Sequence, residues 1–273
     1  MSGPDRRAWV EQVMGLPVSV HLRGPGVRTP AVERRVTRVF AELRAVDAVF
    51  STYRPDSVLG RLRGAPPGPA ATADPLVREV AGLCETARAR TGGWFDARRL
   101  PLPRGGTGYD PSGLVKGWAV ERAARHLTDL ADHDLCLNAG GDVLLRAGPG
   151  RPAWRIGVED PDRPDRLLDV VERAAGAVAT SGTARRGTHI TDPRAGRPAE
   201  AVRSVTVVGP ELLWADVYAT AAVARGPDAL DWLATLDGYA ALLVDAAGRV
   251  RATPGWPGSR AVSSPLTDGC RGG

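Results

Sequence analysis

Lysine is nearly missing from this chain. Of its 36 lysine and arginine residues only Lys116 is a lysine. A chain that otherwise chooses the planar guanidinium, yet keeps one compact ammonium, marks a position where a point charge is useful; retention by chance is the plain alternative. Cysteine is scarce as well. Cys84, Cys136 and Cys270 are scattered with no CxxC spacing, which excludes a thiolate metal motif, offers no paired disulfide pattern and fits a reducing compartment. No apolar run approaches the ~20 residues of a helical membrane span. The opening Met1-Ser2-Gly3-Pro4-Asp5-Arg6-Arg7 has charge and no apolar stretch behind it, so neither a secretion signal nor a lipid-attachment cysteine is expected, and the expected location is cytoplasmic. Blocks of like charge are absent too. The net charge is +5, but the arginines are mixed with Asp and Glu and no basic block carries interleaved aromatics, so the charge reads as surface composition and no nucleic-acid partner is expected.

What is present is ordinary globular composition, 43% apolar and 25% charged over 273 residues, enough for one large domain or two packed halves. Val18, Val20 and Leu22 alternate with Ser19, His21 and Arg23 as a strand, with a break at Met14-Gly15-Leu16-Pro17. Thr29-Pro30 starts a helix whose apolar face is Val32, Val36, Val39, Leu43, Val46 and Phe50. Asp74-Pro75 starts a second, with Leu76, Val80, Leu83 and Ala87 on its face and Gly92-Gly93 at its end. A third runs from about Leu114 to Leu130 with Ser112 as its cap. Leu135 to Leu145 reads as two strand segments joined at Gly140-Gly141, Trp154 to Val158 and Val202 to Val208 as further strands, and Tyr239 to Val244 with Val250 to Ala252 as a hairpin. From Gly258 onward the tail is polar and expected to be loose.

Three places carry chemistry. Leu213 to Ala224 is an alanine-rich helix in which Asp216 and Thr220 are four apart and share a face. A carboxylate and a hydroxyl so placed suit a hard cation such as Mg²⁺; a helix-terminal Asp with a solvated Thr is the alternative. Lys116 lies in the first turn of its helix, where the macrodipole favours an acid, so a docked anion such as a phosphate would explain it. His126 and His133 stand among charged neighbours as solvent residues, whereas His189 lies in a loop dense with hydroxyls, Arg and Asp, where an imidazole can work as base or donor.

Seven segments in order resemble the FAD:protein FMN transferases, the ApbE family: Phe50 to Ser57, Thr91 to Asp96, Asp110 to Val120, Asn138 to Asp142, Ala179 to Gly182, His189 to Gly196, and Ala215 to Ala221. The resemblance implies an α+β fold, with mixed or antiparallel sheets, packed helices and an FAD cleft between them, as a single domain over residues 1–258. It matches Met14, Tyr53, Trp94, Phe95, Asp96, Asp110, Lys116, His189 and Ile190 to FAD contacts, and Gly113 (through its backbone carbonyl), Asp216 and Thr220 to Mg²⁺ ligands. Lys116 falls at the pyrophosphate, and His189 where the family has a histidine that activates the incoming hydroxyl. The implied reaction is Mg²⁺-dependent transfer of FMN from FAD to a threonine or serine of an acceptor flavoprotein, with release of AMP. An FAD pyrophosphatase yielding FMN and AMP, or a flavin-binding protein without turnover, are the alternatives. The chain departs from the family in a shorter segment between Asp96 and Asp110, and in Thr183-Ala184 after Thr180-Ser181-Gly182, where an aromatic is common. No acceptor-like motif occurs, so the acceptor is another protein.

Overall fold

Alternation in the first 23 residues becomes a hairpin. In the computed structural model, which describes residues 5–62, 65–101, 107–183 and 190–259, β1 (Arg6–Val13) pairs with β2 (Leu16–Arg23) from Arg6↔Arg23 to Val13↔Leu16. Met14 and Gly15 form the turn with φ of 58° and 72°, the left-handed pair a two-residue hairpin turn requires. Met14 is the only non-glycine residue at positive φ among the described residues. A left-handed backbone costs a side-chain-bearing residue about 1–2 kcal/mol.

The remaining strands are β3 (Leu100–Pro101), β4 (Thr107–Gly108), β5 (Asp134–Ala139), β6 (Asp142–Arg146), β7 (Trp154–Asp160), β8 (Arg163–Arg173), β9 (Ala175–Gly182), β10 (Thr191–Asp192), β11 (Arg197–Pro198), β12 (Val202–Gly209), β13 (Ala240–Asp245) and β14 (Val250–Ala252). Eight of the fourteen strands among the described residues form one antiparallel sheet in the order β1-β2-β5-β6-β9-β12-β13-β14. Period-two alternation sends its side chains into two cores. On one face Val18, Val20, Leu137, Ala179, Val205 and Val207 join the main cluster. On the other, Cys136, Val143, Val178, Val208 and Leu242 pack against Trp154, Ile156, Val158 and Val171 of the β7–β8 ribbon.

Helices cover the first face: α1 (Pro30–Phe50), α4 (Pro75–Arg90), α5 (Ser112–Ala124) and α6 (Leu212–Arg225), with the short α2 (Val58–Leu62), α3 (Pro69–Thr72) and α7 (Ala229–Leu233) between. Thr29 caps α1 by accepting from Val32 N, and the expected face is buried with Phe40 added. Asp74 caps α4, but Val77 and Cys84 are its buried residues beside Val80 and Ala87, with Leu76 and Leu83 only packed at the margin. The α5 helix ends at Ala124 and continues as a 3₁₀ turn, Arg125–Leu127, short of the expected Leu130. Its cap differs from expectation as well: Asp110 Oδ1 accepts from Ser112 N at 2.8 Å, so Ser112 is the first helical residue.

This is the α+β architecture expected, with a large antiparallel sheet and a helical layer. His133 is buried, against the expectation of a solvent residue. Cys84 is a buried free thiol, Cys136 is disulfide-bonded and Cys270 lies outside the described residues, so three unpaired cysteines are not what the fold holds. Spacing along the chain says nothing of distance across it, and the cysteine pattern gives no support to a reducing compartment. Residues 260–273, most of the expected tail, lie outside the described residues; Gly258 itself bridges to Val171.

Candidate active site

Helix α6 is buried on almost every side. All but two of its 14 residues are buried, Thr220 and Arg225 being the exceptions. A helix apolar all round is a core helix, so a carboxylate inside it must be compensated. Its N-terminus is held by Glu121 of α5, whose Oε1 accepts from Leu212 N and, at 3.3 Å, from Leu213 N. Burial raises the Glu121 pKa, and those two amides work against the rise. The helices touch where α5 has no side chain: a methyl on Gly117 would lie 3.0 Å from Leu212 O and from Leu213 Cα.

That contact brings Lys116 to Asp216. The Asp216 carboxylate is 1% exposed; its Oδ1 lies 3.5 Å from Lys116 Nζ. Its Oδ2 is buried with no hydrogen-bond partner among the described residues. Burial raises the Asp216 pKa; Lys116 opposes the rise and Asp142 adds to it. One turn on, Thr220 Oγ1 lies 2.9 Å from Ser181 Oγ of β9. Gly113 faces the same place, since a methyl there would sit 3.6 Å from Thr220 Cγ2 and 3.2 Å from the Phe95 ring.

A second acid completes the group. Asp142 opens β6 directly after the Gly140-Gly141 turn, where both glycines have positive φ and Gly141 N donates to Asn138 Oδ1. Its side chain is 1% exposed and ion-paired to Lys116, while its Oδ1 accepts from Thr180 N at 3.0 Å. The single ammonium therefore lies between two buried carboxylates from different elements. Neither Asp142 nor Ser181 carried an assigned role from sequence, although both fall within the motifs quoted above; a Gly-Gly-Asp at a hairpin end was the available signal for Asp142.

The other expected site residues spread outward. Met14 is half-buried in the first hairpin turn, and Tyr53 is 88% exposed beside it, a methyl on Gly15 falling 3.9 Å from its ring. Phe95 is buried against Gly113. Trp94 lies under the Arg194 guanidinium, 4.0 Å from ring centroid to Cζ, and Arg194 donates to Gly92 O. Asp96 is engaged locally by Arg88 at 3.2 Å and Arg98 N at 3.0 Å, and Asp110 by the α5 cap. Ile190 is buried, its carbonyl accepting from Ala199 N. His189 lies outside the described residues. A cleft of about 510 Å³ opens beyond Trp94, lined also by Thr91, Arg194, Arg225, Asp228 and Trp232; Lys116, Asp142 and Asp216 are not part of its lining.

Among the described residues no three His, Cys, Asp or Glu cluster as a metal site. The donors at hand are instead two carboxylates, a hydroxyl and helix-end backbone, all oxygen, which suits a hard cation. The buried Oδ2 of Asp216 without a partner is the gap such an ion would fill.

The sequence model of the ApbE family matches residues 14–105 and 98–243. The FAD:protein FMN transferase of Rhodobacter capsulatus is 33% identical over 156 residues, 53% of this chain and 29% of that protein. The one from Vibrio cholerae serotype O1 is 34% identical over 131 residues, 44% of this chain and 39% of that protein. The matched stretch thus spans well under half of either relative. Among solved structures, the ApbE protein of Thermotoga maritima has a TM-score of 0.74 at 21% identity, over 92% of this chain and 97% of that one. The apo flavinyl transferase ApbE of Pseudomonas stutzeri has a TM-score of 0.75 at 24% identity, over 93% and 97%. At such identities the likeness is one of fold.

Proposed function

Because this chain belongs to the ApbE family, we propose that it transfers FMN from FAD to a threonine or serine hydroxyl of an acceptor protein, releasing AMP, with Mg²⁺ as the cofactor. One observation carries the reading: a buried carboxylate oxygen with no hydrogen-bond partner among the described residues, one helical turn from a hydroxyl and beside the chain's single lysine.

Asp216, Thr220 and the Gly113 carbonyl would hold the ion. When bound, Mg²⁺ supplies Lewis-acid stabilisation of charge on the phosphate oxygens. Lys116, the fifth residue of α5 and so just past the first turn expected from sequence, adds a point charge near the end of the helix whose free amides favour an anion. Phe95 and Trp94 wall the flavin nucleotide, and Met14 with Tyr53 contacts it from the first hairpin. His189 takes the proton from the acceptor hydroxyl. The hydroxyl oxygen then bonds to the FMN phosphorus, the phosphorus–oxygen bond to AMP breaks, and AMP leaves with the electron pair. The product is a phosphoester between FMN and the acceptor side chain. The shortened Asp96–Asp110 segment and Thr183 act on flavin enclosure and acceptor choice and leave this chemistry untouched.

Mass spectrometry of threonine-bearing flavoproteins incubated with the enzyme, FAD and Mg²⁺ tests the proposal. Covalent FMN on a threonine or serine with equimolar AMP is the expected result. Free FMN and AMP with an unmodified acceptor would make the protein a pyrophosphatase, and bound FAD without turnover would make it a carrier.

A further inference from the structure

The Lys116 ammonium does not lie free above the site. It is ion-paired to Asp142 and lies 3.5 Å from Asp216 Oδ1, so a divalent cation held by Asp216 Oδ2 would share one carboxylate with the ammonium. Two like charges cannot sit together in a buried place without strong repulsion, and an ammonium and a metal ion are like charges. Resting on the proposed function, we propose that Lys116 is the internal counter-ion of the metal seat: its ammonium is shared by Asp142 and Asp216 before the metal binds, and Asp142 is the positioning residue that draws it off Asp216 when the ion arrives.

The geometry supports this division of labour. Asp142 is fixed on the backbone by Thr180 N through Oδ1, leaving Oδ2 for the lysine. Asp216 is on α6, and its Oδ2 has no hydrogen-bond partner among the described residues. The lysine side chain is mostly covered, at 17% exposed, but its four-carbon stem has several rotatable bonds through which the ammonium can shift its lean from one acid to the other. Both acids are 1% exposed, so bulk solvent does little to offset either charge. With an anionic substrate present, the displaced ammonium has the phosphates to turn to.

The test is Mn²⁺ binding to the full chain without FAD, followed by electron paramagnetic resonance and calorimetry, with circular dichroism melts to verify folding. In Asp142→Asn the amide oxygen still accepts from Thr180 N, but the lysine loses its charged partner and leans on Asp216, so Mn²⁺ affinity should fall on the order of ten- to a hundredfold. In Lys116→Met the competitor is gone and affinity should rise. Unchanged affinity in Asp142→Asn, or unchanged or weaker affinity in Lys116→Met, overturns the inference; Lys116→Met keeps it testable should Asp142→Asn fail to fold. A wild-type chain that binds neither Mn²⁺ nor FAD would overturn the functional reading itself. One that binds both while the variants behave as wild type would remove this inference alone.

Discussion

Replacing Gly117 with alanine puts two opposed effects on one atom. Alanine in a helix interior is favoured over glycine by about 1 kcal/mol, because glycine surrenders more backbone freedom. On that ground alone the variant would melt a few degrees higher, at about 2–4 °C per kcal/mol for a chain of this class. The new methyl, however, would lie 3.0 Å from Leu212 O, 3.0 Å from Leu213 Cα and 3.2 Å from Leu212 C. All three are backbone atoms, which cannot rotate away, so α6 must retreat from α5 by a few tenths of an ångström. Overpacking of this kind costs about 1–3 kcal/mol. The net expectation is a loss of about 0–2 kcal/mol for alanine and a larger one for valine, which adds bulk and has the poorer helix propensity. The site is affected beyond the melt, because Gly113 and Lys116 are on α5 while Asp216 and Thr220 are on α6. Differential scanning calorimetry with Mn²⁺ titration measures both. A Gly117→Ala protein that melts higher than the parent and binds Mn²⁺ equally well would refute the close approach of the two helices.

Three further outcomes follow from the geometry. Asp216→Ala should abolish AMP release from FAD while FAD binding remains measurable by fluorescence quenching; normal turnover would remove Asp216 from the metal role. Glu121 has its pKa raised chiefly by burial, so the folded state holds that proton more tightly than the unfolded chain. The resulting stability is complete below the unfolded value near 4.5 and is lost as pH rises through the folded value. Glu121→Gln keeps an acceptor for Leu212 N and Leu213 N, so urea melts across this range should show less pH-dependent loss; an identical slope would exclude Glu121 as its source. Burial pushes the Cys84 thiol up to about 12, so at pH 8 it should resist iodoacetamide until denaturant is added; rapid labelling of the native chain would show that α4 opens.

Periodicity made α1 legible, because its face repeats at four-three-four spacing and nothing competes for it. The same reading carried α5 past its end: the 3₁₀ turn at Arg125–Leu127 keeps Leu127 buried, so the apolar pattern outlasts the α-helix. In α4 the stripe is displaced by one residue at two positions, since Leu76 and Val77, and Leu83 and Cys84, are adjacent candidates that only the neighbouring elements can decide between. The strand β8 escaped notice because Arg163, Asp165, Arg166, Asp169 and Glu172 break its apolar run. At the site, Asp216, Thr220 and Lys116 were visible as types at a spacing. The ion pair of Lys116 with Asp142 was not, as it depends on a hairpin turn and a helix start meeting in space. His133 shows the converse, charged neighbours along the chain and burial in three dimensions.

Lys116, Asp142 and Asp216 come from an early helix, the hairpin after it and a late helix on the same sheet face, so the ion pairs among them close loops of many residues. Closing loops of this length costs chain entropy that local contacts do not. A nascent chain emerging from a ribosome therefore lacks the proposed cation seat until α6 has docked, and a partially opened molecule that releases α6 would lose it at once. On the proposed function, metal affinity would double as a gauge of whether the whole sheet-and-helix assembly is intact.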